Sequence, residues 1–174
     1  LDSLATVGNV PAGNTIAATD PFRMSIASSV ADETPIKFTM TVRQNGVPVW
    51  TDRFTRLAHA PDVEFSVLRI NDTGTGNGDG VVQAGENFRL HYRIKNFGSG
   101  AVRGVSATLT DVSGAFVLID NTDAYADVAS LASAENTDGF LLSETSVASP
   151  SNLRLDVTDA LLRHDPSYAT VLEE

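Results

Sequence analysis

The stretch from Asn71 to Glu86 carries the residues whose types and spacing point to chemistry. Around Gly80 as a sharp-turn glycine, Thr75, Asn77 and Asp79 fall at positions one, three and five of a twelve-residue loop. The Val81 carbonyl, Gln83 and Glu86 fall at positions seven, nine and twelve, and Val82 supplies an apolar eighth residue. Hard oxygen donors at these intervals, with a bidentate carboxylate at the end, are the spacing that wraps a chain around one calcium ion. Thr75 brings no charge to the first position, and Asp72 or Asn71 can stand in for it by a different path of the loop. The competing reading is a glycine-rich turn closed by side chain-to-backbone hydrogen bonds, with no metal.

The elements that hold this loop read as strands. Apolar and polar residues alternate in Phe22–Ile26, Ile36–Val42, Phe88–Lys95, Val105–Leu109 and Leu153–Val157, the period of half-buried β-structure. Gln44-Asn45-Gly46 and Asn96-Phe97-Gly98-Ser99-Gly100 separate such runs as turns. Asp159–Arg163 is expected to form a single helical turn before Pro166. With strands rather than helices on either side, the loop is expected to hold a structural ion and not to act as a calcium sensor.

An internal repeat organises the chain. Thr19–Ser25 matches Thr137–Ser143 at an offset of 118 residues, Val10 matches Val128 at the same offset, and Ile36–Met40 matches Leu153–Val157 at 117. One register held across three segments marks a repeat rather than coincidence. Residues 1–60 then correspond to the back half of a unit, incomplete alone, and 61–174 to a complete one, with His59-Ala60-Pro61-Asp62 as the junction. The expected fold is all-β: an immunoglobulin-like antiparallel sandwich in about one and a half tandem units. The half unit predicts an uncovered apolar face built from Phe22, Met24 and Ile26 with Phe38, Met40 and Val42.

The run Asn77–Glu86, the strand ending at Asn96-Phe97-Gly98 and the segment Val105–Leu109 together resemble bacterial surface and secreted-protein repeats, in the style of CARDB-like adhesion modules and the Ig-like modules that follow gingipain-type proteases. The likeness covers roughly residues 61–111 and continues more weakly through Asp127 and Thr137–Thr158. It implies a sandwich of about seven strands in an exported multidomain protein, serving as spacer, adhesin or accessory module. Thr75, where an acidic residue is usual, departs from that pattern.

Composition narrows the remaining options. Twelve basic and 22 acidic residues give a formal charge of −10, which repels phosphate backbones and anionic headgroups, so neither nucleic acid nor a membrane surface is an expected partner. No run reaches the roughly 20 apolar residues of a membrane span. The absence of cysteine excludes disulfides, thiolate metal sites and cysteine nucleophiles. His59, His91 and His164 sit in no hydrolase or metalloprotease motif, and no G-x-S-x-G elbow occurs, so no catalytic residue is assigned and no enzyme is expected. Arg89, His91, Arg93 and Lys95 form a basic stripe that reads as a solvated sheet face meeting acids on neighbouring strands. Trp50, Tyr92 and Phe97 are candidates for a carbohydrate platform, though aromatics in a small sandwich more often fill its core. The expected role is a non-catalytic structural or adhesive repeat of a secreted or cell-surface protein, with neighbouring repeats, identical subunits, a glycan or a surface protein as partners. A filament subunit completed by strand exchange, and a ligand-binding accessory module of an extracellular enzyme, are the alternatives.

Overall fold

A computed structural model describes residues 3–145, 151–161 and 164–171. The protein is all-β: the described residues form eleven strands in antiparallel sheets and no helix. Asp159–Leu161 make a turn closed by the Leu161 N–H donating to Asp159 Oδ1 at 2.9 Å, and the rest of the expected helical turn, Leu162 and Arg163, lies outside the described residues.

The chain divides into two compact units, residues 1–30 and residues 31–174. That division falls thirty residues before the junction expected at His59–Asp62. In the first unit the expected strand Phe22–Ile26 is not formed; Arg23 makes an isolated bridge, and Phe22, Met24 and Ile26 are 56%, 50% and 48% exposed. Alternation alone does not make a strand: a ladder needs a partner along its length, and Pro21 contributes no donor at the entrance.

The second unit begins with a hairpin, β1 (Pro35–Gln44) and β2 (Val47–Leu57), paired along its length apart from one register shift between Val42 and Arg43 that leaves Val49 without a partner. Asn45 and Gly46 both take positive φ, 48° and 80°, the two-residue turn whose twist matches that of the flanking strands. Phe38 and Phe54 stack across the pair with centroids 5.0 Å apart. Among the described residues the hairpin joins no other sheet.

Then follows the sandwich. One sheet orders β3 (Val63–Asn71), β4 (Asn87–Asn96), β9 (Phe140–Glu144) and β6 (Phe116–Asp120), with β8 (Ser133–Glu135) also on β4. The other orders β11 (His164–Val171), β10 (Ser151–Thr158), β5 (Ser106–Asp111) and β7 (Thr122–Ala124). Phe88, Leu90, Tyr92 and Ile94 on β4 meet Leu153, Leu155 and Val157 on β10 in one apolar cluster that also takes Leu109, Phe140 and Leu142. Period-two alternation places these side chains on the inner faces and sends Arg89, His91, Arg93 and Lys95 outward. At the end of β4 the fully buried Asn96 replaces missing ladder bonds: its Oδ1 accepts the Asp62 and Gly98 N–H groups, and its Nδ2 donates to the carbonyls of Gly100, Val128 and Ala129.

Candidate functional site

The loop leaving β3 is organised by Asp72. Its side chain is buried, 2% exposed, and its Oδ2 accepts the N–H groups of Gly78 and Gly80, each at 3.0 Å. Its carbonyl accepts from Thr75 at 3.1 Å and Gly76 at 2.6 Å, curling the chain back on itself. Gly74, Gly78, Gly80 and Gly85 all have φ near +80°, a backbone region in which a Cβ is strained; this explains why glycine is so dense here.

The predicted ligands fall into two groups. Asp79 gathers the first: Oδ1 accepts the Val81 N–H at 2.8 Å, and Oδ2 accepts Asn77 Nδ2 at 3.1 Å and Gln83 Nε2 at 2.9 Å. Asn77 Oδ1 in turn accepts the Asp79 N–H at 2.9 Å. Glu86 forms the second, its Oε1 accepting the Asn77 N–H at 2.6 Å. A Cβ on Gly76 would stand 2.1 Å from that same oxygen, so the glycine makes room for the carboxylate. Glu86 Oε2 and Thr75 Oγ1 are both buried without a hydrogen-bond partner. Val82 points into the core and pins the loop from below, as its place in the spacing requires. The loop's exit is tied to β9, with the Gly85 N–H on the Glu144 carbonyl and the Glu144 N–H on the Glu86 carbonyl. Among the described residues no three His, Asp or Glu side chains converge tightly enough to hold a metal by themselves.

The basic stripe is engaged within its own sheet. Arg69 and Arg93 both pair with Glu135, Arg89 donates to the carbonyls of Asp138 and Gly139, and Lys95 lies 4.4 Å from the Phe97 ring centroid. The His91 ring faces Gly139, where an added Cβ would approach to 2.8 Å. Desolvation, helped by the Arg69 charge, holds His91 below the usual imidazole range. The three candidate platform aromatics do not form a face: Tyr92 is fully buried between the sheets, against Phe65 and Phe140, while Trp50 lies on the hairpin.

One cluster had no local signature in the sequence. Asp32, Ser99 and His59 meet where the hairpin joins the sandwich. Asp32 Oδ1 accepts the Ser99 hydroxyl at 2.6 Å and the Ala60 N–H at 2.8 Å, and Oδ2 accepts the Ser99 N–H at 2.7 Å. His59 Nδ1 lies 2.6 Å from Ser99 Oγ. The Ser99 hydroxyl, then the Ala60 and Ser99 amides, hold the Asp32 carboxyl down to about 2. A hydrolytic triad places histidine between serine and acid; here the serine stands between them, so the carboxylate does not orient the imidazole. The arrangement is a clasp. Gly98 and Gly100 allow it, since a Cβ on Gly98 would meet the Ala60 carbonyl oxygen at 2.2 Å and one on Gly100 the His59 carbonyl oxygen at 2.8 Å.

No family model matches the chain, and no curated protein matches it in sequence.

Proposed function

We propose that the chain is a non-catalytic structural or adhesive module of an exported protein, in which the loop from Asp72 to Glu86 binds a structural calcium ion. The observation that carries this reading is the Glu86 carboxylate, with one oxygen fixed by the Asn77 amide and the other buried without a hydrogen-bond partner. A buried carboxylate oxygen without a donor is costly, and a cation is the partner that oxygen lacks.

Calcium accepts six to eight oxygens, including carbonyls and side-chain amides, so it does not need three carboxylates in contact. Asp72 supplies the anionic first ligand that Thr75 cannot. Asn77, Asp79 and the Val81 carbonyl lie along the same curl, and rotating the Gln83 amide exchanges its nitrogen for its oxygen beside Asp79. The ion's role is to hold together a long connection between β3 and β4 whose glycines otherwise cost conformational entropy.

The strand order supports the immunoglobulin-like form of the reading. Lettered in chain order, β3, β4, β9 and β6 take the places of strands A, B, E and D, while β5, β10 and β11 take those of C, F and G. The short strands β7 and β8 are additions to that plan.

Thermal unfolding of the full chain in calcium and in chelator tests the ion. At a calcium concentration about 100 times Kd, binding to the folded state alone contributes about 2.7 kcal/mol, which raises Tm by roughly 5–10 °C for a chain of this size. Asp72→Ala and Glu86→Gln are expected to abolish the increment. Superimposable melting curves in calcium and chelator reject the ion.

A further inference from the structure

The β1–β2 hairpin is a two-stranded sheet with both outer edges unpaired among the described residues. One face carries Ile36, Phe38, Met40, Val42, Trp50 and Phe54 together with Asp52 and Arg56, as the register Ile36↔Arg56, Phe38↔Phe54, Met40↔Asp52 and Val42↔Trp50 requires, and Trp50 is 49% exposed. Its charge is opposite to that of the molecule. Lys37, Arg43, Arg53 and Arg56 stand against Asp52 alone, so the hairpin is +3 and the remaining residues −13 of a −10 total. None of the four bases makes an ion pair among the described residues; Arg43 and Arg56 donate to backbone carbonyls of the hairpin itself.

The sandwich offers a surface of complementary character. β6 is an edge strand on which Val117 and Ile119 are 51% and 52% exposed. Asp120 lies on β6 itself, and the segment Asp111–Asp127 that contains the strand bears no base; of its other acids, Asp111 accepts the Gly114 and Phe116 amides and Asp123 sits on β7 of the other sheet. An open edge with outward apolar side chains is a template for another strand, and charge complementarity selects which strand.

We propose that the β1–β2 hairpin docks along the β6 edge of a second copy of this chain, a head-to-tail contact that propagates into linear assemblies. Charge complementarity between the two surfaces names the occupant. A flexible polyanion satisfies the arginines but leaves the apolar comb and the ladder edges uncovered, whereas an acidic β-edge satisfies all three. The two surfaces differ, so the contact is heterologous and does not close at two copies. The bulge between Leu118 and Asp120 limits the regular ladder on β6 to the residues before it. The contact does not use the loop from Asp72 to Glu86, so it stands or falls apart from the calcium reading.

Sedimentation equilibrium of the full chain over a range of concentrations is the test. At ~0.01 M salt the average mass is expected to climb above the 18.4 kDa monomer with concentration, and to return to it at ~1 M salt, where the screening length falls from about 30 to about 3 Å. Arg53→Glu with Arg56→Glu, and separately Val117→Lys with Asp120→Lys, change exposed positions and are expected to leave far-UV dichroism and Tm in place. Each double variant alone is expected to stay monomeric, losing at least tenfold in association constant, and an equimolar mixture of the two to associate again. The proposal is overturned by a monomeric wild type at every concentration, or by association that only one of the variants affects. A monomer that binds polyglutamate through the hairpin also overturns it, since the partner is then an acidic polymer and not a second copy.

Discussion

Asp32 shows how a side chain with no motif around it can govern a junction. Its carboxyl titrates near 3.8 when free and at about 2 in the fold, because the Ser99 hydroxyl and the Ala60 and Ser99 amides all bind the charged form. A depressed carboxyl contributes stability above its unfolded value and loses it as the folded form protonates. The clasp is therefore expected to be intact above about pH 4 and to release as pH falls toward 2. Ser99→Ala should move the Asp32 carboxyl upward in an NMR titration and bring clasp opening to higher pH; an unchanged titration shows that the hydroxyl is not the main cause. In the loop from Asp72 to Glu86, the residues picked out by the spacing fall in two hydrogen-bonded groups, Asn77, Asp79 and Gln83 in one and Glu86 in the other. The spacing counts Thr75 as position one because counting back from Gly80 assumes a uniform path. The chain instead turns tightly at Asp72, with the Gly76 N–H on its carbonyl, and reaches Gly80 with the buried Asp72 carboxylate rather than Thr75. Spacing rules cannot see that shortcut, since it depends on positive φ at Gly74 and Gly78.

Among the elements, those with a ladder on both sides were the most legible. β4 and β10 alternate cleanly because one face of each is buried against the other sheet, and the register cannot slip by one residue without exposing every core side chain. Phe22–Ile26 aligns with Phe140–Glu144 of β9 at an offset of 118 residues, yet β9 lies between β4 and β6 while Phe22–Ile26 has no ladder. Pattern encodes a face, but pairing depends on neighbours. β1 and β2 formed without a second layer because Asn45-Gly46 fixes the hairpin locally. The junction elements were illegible: Gly98 and Gly100 read as ordinary turn glycines, and only their approach to the Ala60 and His59 backbone gives them a role. Gly98→Ala is expected to destabilise the chain by about 1–3 kcal/mol, since a backbone carbonyl cannot move aside as a side chain does. Urea unfolding measures it, and a loss below about 0.5 kcal/mol argues that the two segments separate freely.

At the scale of the molecule, the described residues of the second unit share one apolar layer between two sheets, and the chain has no cysteine to form a disulfide. Leu155→Ala, at a position 1% exposed, is expected to cost roughly 2–5 kcal/mol in chemical denaturation. A cost near zero shows that the two sheets do not share that layer. The route of the chain through the hairpin has a mechanical consequence. Backbone bonds between Glu33 and Ala58 and between Ala58 and Thr34 bring the hairpin's entrance and exit side by side. Tension along the polypeptide therefore pulls the hairpin open from its mouth, breaking rungs one at a time rather than shearing them together. The Asp32–Ala60 bond sits across that mouth like a latch, so it must yield first. Once it does, the 23 residues from Pro35 to Leu57 pay out as slack, roughly 76–83 Å at about 3.3–3.6 Å per residue, while the sandwich stays closed. Pulled between its ends in an optical trap, the protein is expected to lengthen by such a step at low force, at lower force still below pH 3, and well before the sandwich ruptures. A chain that carries its own extensible reserve can absorb a sudden load without unfolding its sandwich.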